Sequence, residues 1–185
     1  MDKTLEEALR LRAMGFAVHW LQAETKKPAG LDWPNAAVMS EAELRSSYKK
    51  GFNVGFRAGK WSTVHGKEIC VLDIDVRGGP AYQEEAFAAA KSLLGGSFNP
   101  HVITGSVVGR HQYLLFPRGS SPSVAATTLR QSDVYVTPEG NICPKGTPDA
   151  KPAWALELLS TGKNVVLPPS TLIRNRPING CTRKS

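Results

Sequence analysis

At 185 residues the chain is long enough for one domain with a real core, and its 41% hydrophobic and 21% charged content argue against a disordered, fibrous or membrane-embedded class. Lys and Arg outnumber Asp and Glu by 23 to 16, for a net charge of +7 and a pI near 9.5, which favours polyanionic partners such as nucleic acid or nucleotide phosphates. Cys70, Cys143 and Cys181 are scattered and odd in number, which argues against a disulfide framework and a four-ligand zinc site. The start, Met1-Asp-Lys-Thr-Leu-Glu-Glu, has no apolar signal region and no run approaches membrane-spanning length, so a cytoplasmic protein without a membrane partner is expected.

Thr4-Leu-Glu-Glu7 reads as a capping box opening a helix that Gly15 stops. Residues 16–21 read as a first strand, and residues 24–34 as an irregular loop with Lys26, Lys27, Pro28 and Trp33. Ser40-Glu-Ala-Glu43 is a second capping box, for a helix through Tyr48 that Gly51 ends. A short strand is expected over 53–57, a turn over 59–66 and a long strand over 67–76. Pro80 suits a helix N1 position, with an Ala- and Glu-rich helix over 82–94 before Gly95-Gly96. Strands then follow over 101–104, 110–116, 133–137, 154–159 and 164–167, and the loosest stretch covers 138–152. These elements predict an α+β domain with a largely antiparallel sheet and flanking helices.

The most informative stretch is Ile69-Cys-Val-Leu-Asp-Ile-Asp-Val76, a β-branched run ending in two carboxylates. Strand alternation puts Asp73 and Asp75 on one face, about 6–7 Å apart. Two adjacent acids repel unless a cation neutralises them, and hard carboxylate oxygens suit Mg²⁺ or Mn²⁺. A strand end entering an Asx-type turn at Arg77-Gly78-Gly79-Pro80 fits the same residues. Two further strands carry polar groups: Gly109-Arg-His-Gln-Tyr-Leu-Leu-Phe116, preceded by Thr104-Gly-Ser106, and Trp154-Ala-Leu-Glu-Leu-Leu159. His111 alone reads more readily as a packed or surface histidine than as a functional one. Glu157, between Leu156 and Leu158, alternates away from their buried face and is placed to share a cleft with Asp73 and Asp75. Three acids beside His111 and Arg110 would suit a metal-bound triphosphate, the carboxylates holding cations and the two bases neutralising phosphate oxygens.

In order and spacing these parts resemble the bifunctional primase-polymerase domain of the archaeo-eukaryotic primase superfamily, found in plasmid and phage replication proteins. The matching pieces are Gly15-Phe-Ala-Val18, Lys26-Lys-Pro28 leading to Trp33, and Asn53-Val-Gly-Phe56 with Gly59. Val71-Leu-Asp-Ile-Asp75, Thr104-Gly-Ser106 with Gly109-Arg-His111, and Glu157 followed by Val165-Val-Leu-Pro-Pro-Ser170 complete the set. The resemblance implies a catalytic core of RNA-recognition-motif type performing template-directed nucleotidyl transfer in the replication of a mobile element. It implies Asp73, Asp75 and Glu157 as ligands of Mg²⁺ or Mn²⁺, and His111 as a contact to the incoming nucleotide's phosphates. Arg110, Ser106 and Lys27 are further phosphate candidates, although Lys27 reads as well as a solvated loop lysine, and Trp33 reads as a core or hinge residue rather than a stacking platform. Single-stranded DNA template and nucleoside triphosphates are the implied partners.

After Ser170 the chain departs from the family's usual His-Pro pair and Tyr-x-Trp. Residues 1–170 therefore read as the catalytic domain, and residues 171–185 as a basic, atypical tail with nothing to pack. A shift of reading frame past codon 170 would explain that tail, and predicts that the DNA in the other frame continues the family sequence. No helicase domain is expected in this length, so a replicative helicase would be separately encoded or lost. Two other functions fit the same residues: a catalytically impaired module that binds single-stranded nucleic acid, and a metal-dependent nuclease.

Overall fold

The computed structural model describes residues 2–104 and 108–172, together with the backbone at 176, 177, 179 and 180. In chain order the elements are α1 (Lys3–Ala13), β1 (Ala17–Leu21), α2 (Glu41–Ser47), β2 (Asn53–Arg57), β3 (Gly59–Val64), β4 (Lys67–Val76) and α3 (Pro80–Leu93). The strands β5 (Val102–Ile103), β6 (Arg110–Pro117), β7 (Ala126–Gln131), β8 (Tyr135–Val136), β9 (Ile142–Cys143) and β10 (Lys151–Pro152) follow. The chain closes with β11 (Trp154–Leu159), β12 (Asn164–Val166), β13 (Thr171–Leu172), β14 (Arg176–Pro177) and β15 (Asn179–Gly180). This is the α+β architecture expected, and the strand pairs described are antiparallel. None of the described helices is long and apolar enough to cross a membrane.

A seven-stranded sheet runs β15-β5-β6-β4-β11-β7, with β3 also paired to β4, and a three-stranded sheet runs β1-β2-β12. β4 lies at the centre of the larger sheet because its Ile69-Cys-Val-Leu core is apolar on both faces, the pattern of a strand covered on both sides. One face sends Ile69 and Val71 into a core with Phe16, Val18, Trp20, Phe56 and Val165, under α1 and the small sheet. The other sends Leu72, Ile74 and Val76 against Ala86 and Ala90 of α3. Those two alanines are spaced one helical turn apart, so α3 meets the sheet with its smallest side chains and sits close. Truncating a residue such as Leu72 there should cost about 2–5 kcal/mol. Leu21 and Val166 of the small sheet meet Val102 of the large one, with Tyr113 packed beside them.

Several expectations are corrected. The N-cap of α1 is Asp2, whose side chain accepts from the Thr4 amide at 2.9 Å; the carboxylate two residues upstream wins over the Thr4 box because it reaches the orphan N–H first. The second box forms as expected, with Ser40 and Glu43 capping reciprocally. Residues 59–64 are a strand rather than a turn: only His65 and Gly66 turn, with φ of 50° and 72°, and Val64 pairs with Lys67 across them, as a two-residue hairpin requires. The strand expected over 133–137 shortens to Tyr135–Val136, in a small sheet of order β10-β8-β9. The strand β7 is new. In the tail, backbone pairing joins β13 to β14 and β15 to β5, because a two-residue ladder needs no hydrophobic period.

Candidate active site

The register of β4 builds the site. Asp73 pairs with His111 of β6 on one side and with Glu157 of β11 on the other. Directly opposed residues point to the same face, with Cβ atoms about 4.5–5.5 Å apart, so His111, Asp73 and Glu157 form one row across three strands. Asp75 lies one pleat further along that face, opposite Ala155. The row continues the face that carries Val71, Tyr113 and Leu159. It therefore begins where the apolar core under the small sheet stops.

His111 Nε2 stands 3.3 Å from Asp73 Oδ1. The imidazole is 9% exposed, and among the described residues its buried Nδ1 has no hydrogen-bond partner. Asp73 and Asp75 keep 25% and 41% of their side chains exposed, and Glu157 is half-buried. Next to His111 on its strand face, Tyr113 lies ring over ring on His101 at 5.2 Å with planes 6° apart. Burial pushes the Tyr113 phenol well above its ordinary pKa, which keeps that support neutral.

Arg77 is the residue that sequence reasoning missed. Its Nη2 donates to Asp75 Oδ2 at 2.6 Å, its Nη1 to the Pro152 carbonyl at 3.1 Å, and its amide to the Ala153 carbonyl at 2.7 Å. The signal was available: Asp73, Asp75 and Arg77 share the period of a strand, whereas the motif Arg77-Gly78-Gly79-Pro80 read as turn alone.

The donors suit a hard divalent cation in kind, being carboxylate oxygens on adjacent strands with partial access to solvent, beside an imidazole with an unpartnered buried nitrogen. Among the described residues, no three carboxylate, imidazole or thiol groups stand converged as a metal cage. Asp73 leans towards His111 and Asp75 towards Arg77 instead.

The structure does not bring every expected residue to this face. Arg110 pairs with Ile74, so alternation turns it to the α3 side, where its guanidinium lies 5.5 Å from the Phe87 ring. Adjacency to His111 in sequence is what separates the two in space. Lys27 is exposed on the loop after β1, and its carbonyl accepts from the Gln22 amide at 2.8 Å; that loop belongs to the small sheet. Ser106 lies outside the described residues.

No curated protein matches the chain. The family model described as bifunctional DNA primase/polymerase, N-terminal, matches residues 8–182, a span that holds the whole acid row and runs past Ser170.

Proposed function

The chain belongs to the bifunctional DNA primase/polymerase N-terminal family, and from that membership we propose that it joins nucleotides on a single-stranded DNA template in the replication of a plasmid, phage or other mobile element. The observation that carries this reading is the row His111–Asp73–Glu157 with Asp75 beside it, on one face of the large sheet. Asp73, Asp75 and Glu157 would hold Mg²⁺ or Mn²⁺, which supplies charge stabilisation at the transferred phosphoryl group and at the leaving pyrophosphate. The bond formed joins the attacking hydroxyl oxygen to the α-phosphorus of the incoming triphosphate, and the bond broken releases pyrophosphate.

The protein's own groups supply position. His111 stands with Nε2 3.3 Å from Asp73 Oδ1, at the end of the acid row, where the imidazole would contact the phosphates of the incoming nucleotide. Asp75 gives Oδ2 to Arg77 and would offer Oδ1 to an ion, while Arg77, tied to the Pro152 and Ala153 carbonyls, stays beside it as a fixed positive charge. The basic surface, +7 overall, draws in both triphosphate and template.

A template-dependent assay with labelled nucleotides tests the reading, run with Mg²⁺ and with Mn²⁺. Extended products that disappear in Glu157→Gln are expected. Shortened template would assign a nuclease instead. Tight strand binding with no product under either ion would assign a binding module.

A further inference from the structure

One cavity combines features that neither the acid row nor the core uses. It holds about 460 Å³, within the range of small-molecule sites, between β1, the loop that follows it and the end of α2. His19, Trp33, Lys49, Phe52 and Arg57 line it. His19 is on β1, where alternation turns it away from the core that takes Val18 and Trp20.

One of these side chains is buried short of the partners that buried polar groups require, and another is a buried cation held by neutral groups alone. His19 is 9% exposed, and among the described residues neither ring nitrogen has a hydrogen-bond partner of good geometry, although the Asn164 side chain is near enough to act on the ring. Burial pushes its pKa down to about 4, against a smaller opposing pull from Asn164 and with further help from the Arg57 charge. The ring is neutral near pH 7, so it offers one donor nitrogen and one acceptor nitrogen. Arg57 is 3% exposed. Its Nη1 donates to the carbonyls of Trp33, Pro34 and Ala36 at 3.2, 3.2 and 2.7 Å, and its guanidinium lies 4.1 Å from the Trp61 ring. Among the described residues no carboxylate pairs with it. A buried cation with only neutral partners is costly to the fold, and an anion in the cavity offsets that cost.

The walls define the rest of the ligand. The Trp33 indole stacks on the His19 ring at 5.4 Å and 27°, and Phe52 and Met39 extend the apolar lining. Lys49 adds a second positive charge, against the single acid Asp32 among the described lining residues. We propose that this cavity is a binding site for a planar nitrogen heterocycle bearing an anionic group, the chemistry of a nucleotide. Its flat faces suit the aromatic wall. Its polar edge meets the unpartnered imidazole, and its phosphate lies towards Arg57 and Lys49. Lys26-Lys27-Pro28 and Trp33, on the loop after β1, thereby gain a reason to be there: the loop closes the cavity over β1. The same chemistry reaches the site either as a free nucleotide or as one base of a single strand.

The test uses the full chain in EDTA, so that binding does not depend on ions at the acid row. Four probes are compared by equilibrium dialysis and by the imidazole nitrogen signals of His19 in NMR: deoxyadenosine monophosphate, ribose 5-phosphate, a short oligodeoxynucleotide and its abasic counterpart. A base-bearing probe should move the His19 signals, and ribose 5-phosphate and the abasic strand should not. Trp33→Leu and His19→Phe should each weaken binding about tenfold or more, as loss of a stacking or edge contact does. Binding of the monophosphate identifies a free nucleotide as the source; binding of the oligonucleotide alone identifies a strand base. Unmoved His19 signals with every probe overturn the proposal, and so does equal affinity in both variants; His19 and Trp33 would then serve only to lock the loop. The wild-type NMR readout stands even where a variant fails to fold.

Discussion

One face of β4 has two halves, and they differ in everything except the strand that carries them. Ile69 and Val71 are sealed under α1 and the small sheet. Asp73 and Asp75, further along the same face, remain partly open to solvent beside His111 and Arg77. The backbone, the pairing and the central position are shared; what changes is the cover above. The larger sheet thus supplies a row of positions, and the extent of the small sheet decides which of them are sealed in the core and which stay open to solvent. That a site rests on a central strand, locked between β6 and β11, is what holds such side chains to a defined geometry.

Moving a charge across the boundary should break this division most severely. Val71→Asp puts an unpaired carboxylate between Tyr113 and Leu159, at a cost upwards of about 3–5 kcal/mol, comparable to an uncompensated buried charge. Urea unfolding should show it. A variant as stable as wild type would mean that the cover over Val71 is loose. Asp73→Asn, one pleat along, should leave the unfolding midpoint within about 0.5 kcal/mol while lowering nucleotide incorporation at least about a hundredfold, since a ligand to the transferred charge supplies several kcal/mol. Retained incorporation would remove Asp73 from the site.

The small sheet has its own contrast, between His19 and the apolar side chains around it. Its pKa falls from 6.5 to about 4 on burial, so the unfolded chain binds the proton more readily than the folded one. Stability from this group is fully present above about pH 6.5 and is lost as pH falls towards 4, by on the order of 3 kcal/mol across the window. His19→Phe should flatten that part of the stability profile relative to wild type. Parallel profiles for the two proteins would show that His19 is protonated inside the fold or solvated there.

These halves were unequally legible in the sequence. Residues 67–76 form the strand expected, because a β-branched run with period-two acids admits few alternatives, and the shared face of Asp73 and Asp75 follows from that period. Glu157 was legible only as an alternation; its place opposite Asp73 is a matter of register between strands more than eighty residues apart, which no local signal carries. Arg110 was misplaced by reading neighbours in sequence as neighbours in space. The strand β7 gave no signal at all, since Ala126–Gln131 is exposed throughout and is held on one edge by β11; hydrophobic period reports burial, and this strand has none. The 59–66 segment misled because Gly59 and Gly66 bracket Lys60-Trp-Ser-Thr-Val64, and the glycines hid a β-rich centre.

Arg77 gives the finest division between the halves, because its two effects have opposite sign. Its pair with Asp75 is partly exposed, at 2.6 Å with side chains 25% and 41% open, and such pairs contribute about 0–1 kcal/mol. Arg77→Ala should therefore barely move the unfolding midpoint. If the acid row takes a cation as proposed, the same guanidinium would compete for Asp75 and repel the ion. Near a protein surface a unit charge a few ångströms away changes the binding of a divalent ion by about 1 kcal/mol or more. Removing it should tighten Mn²⁺ binding about three- to tenfold, measured by electron paramagnetic resonance of the free ion, with the gain shrinking in high salt. Weaker binding in Arg77→Ala would show instead that Arg77 positions the Asp75 carboxylate for the ion, and that the close pair is part of the site and not a competitor to it.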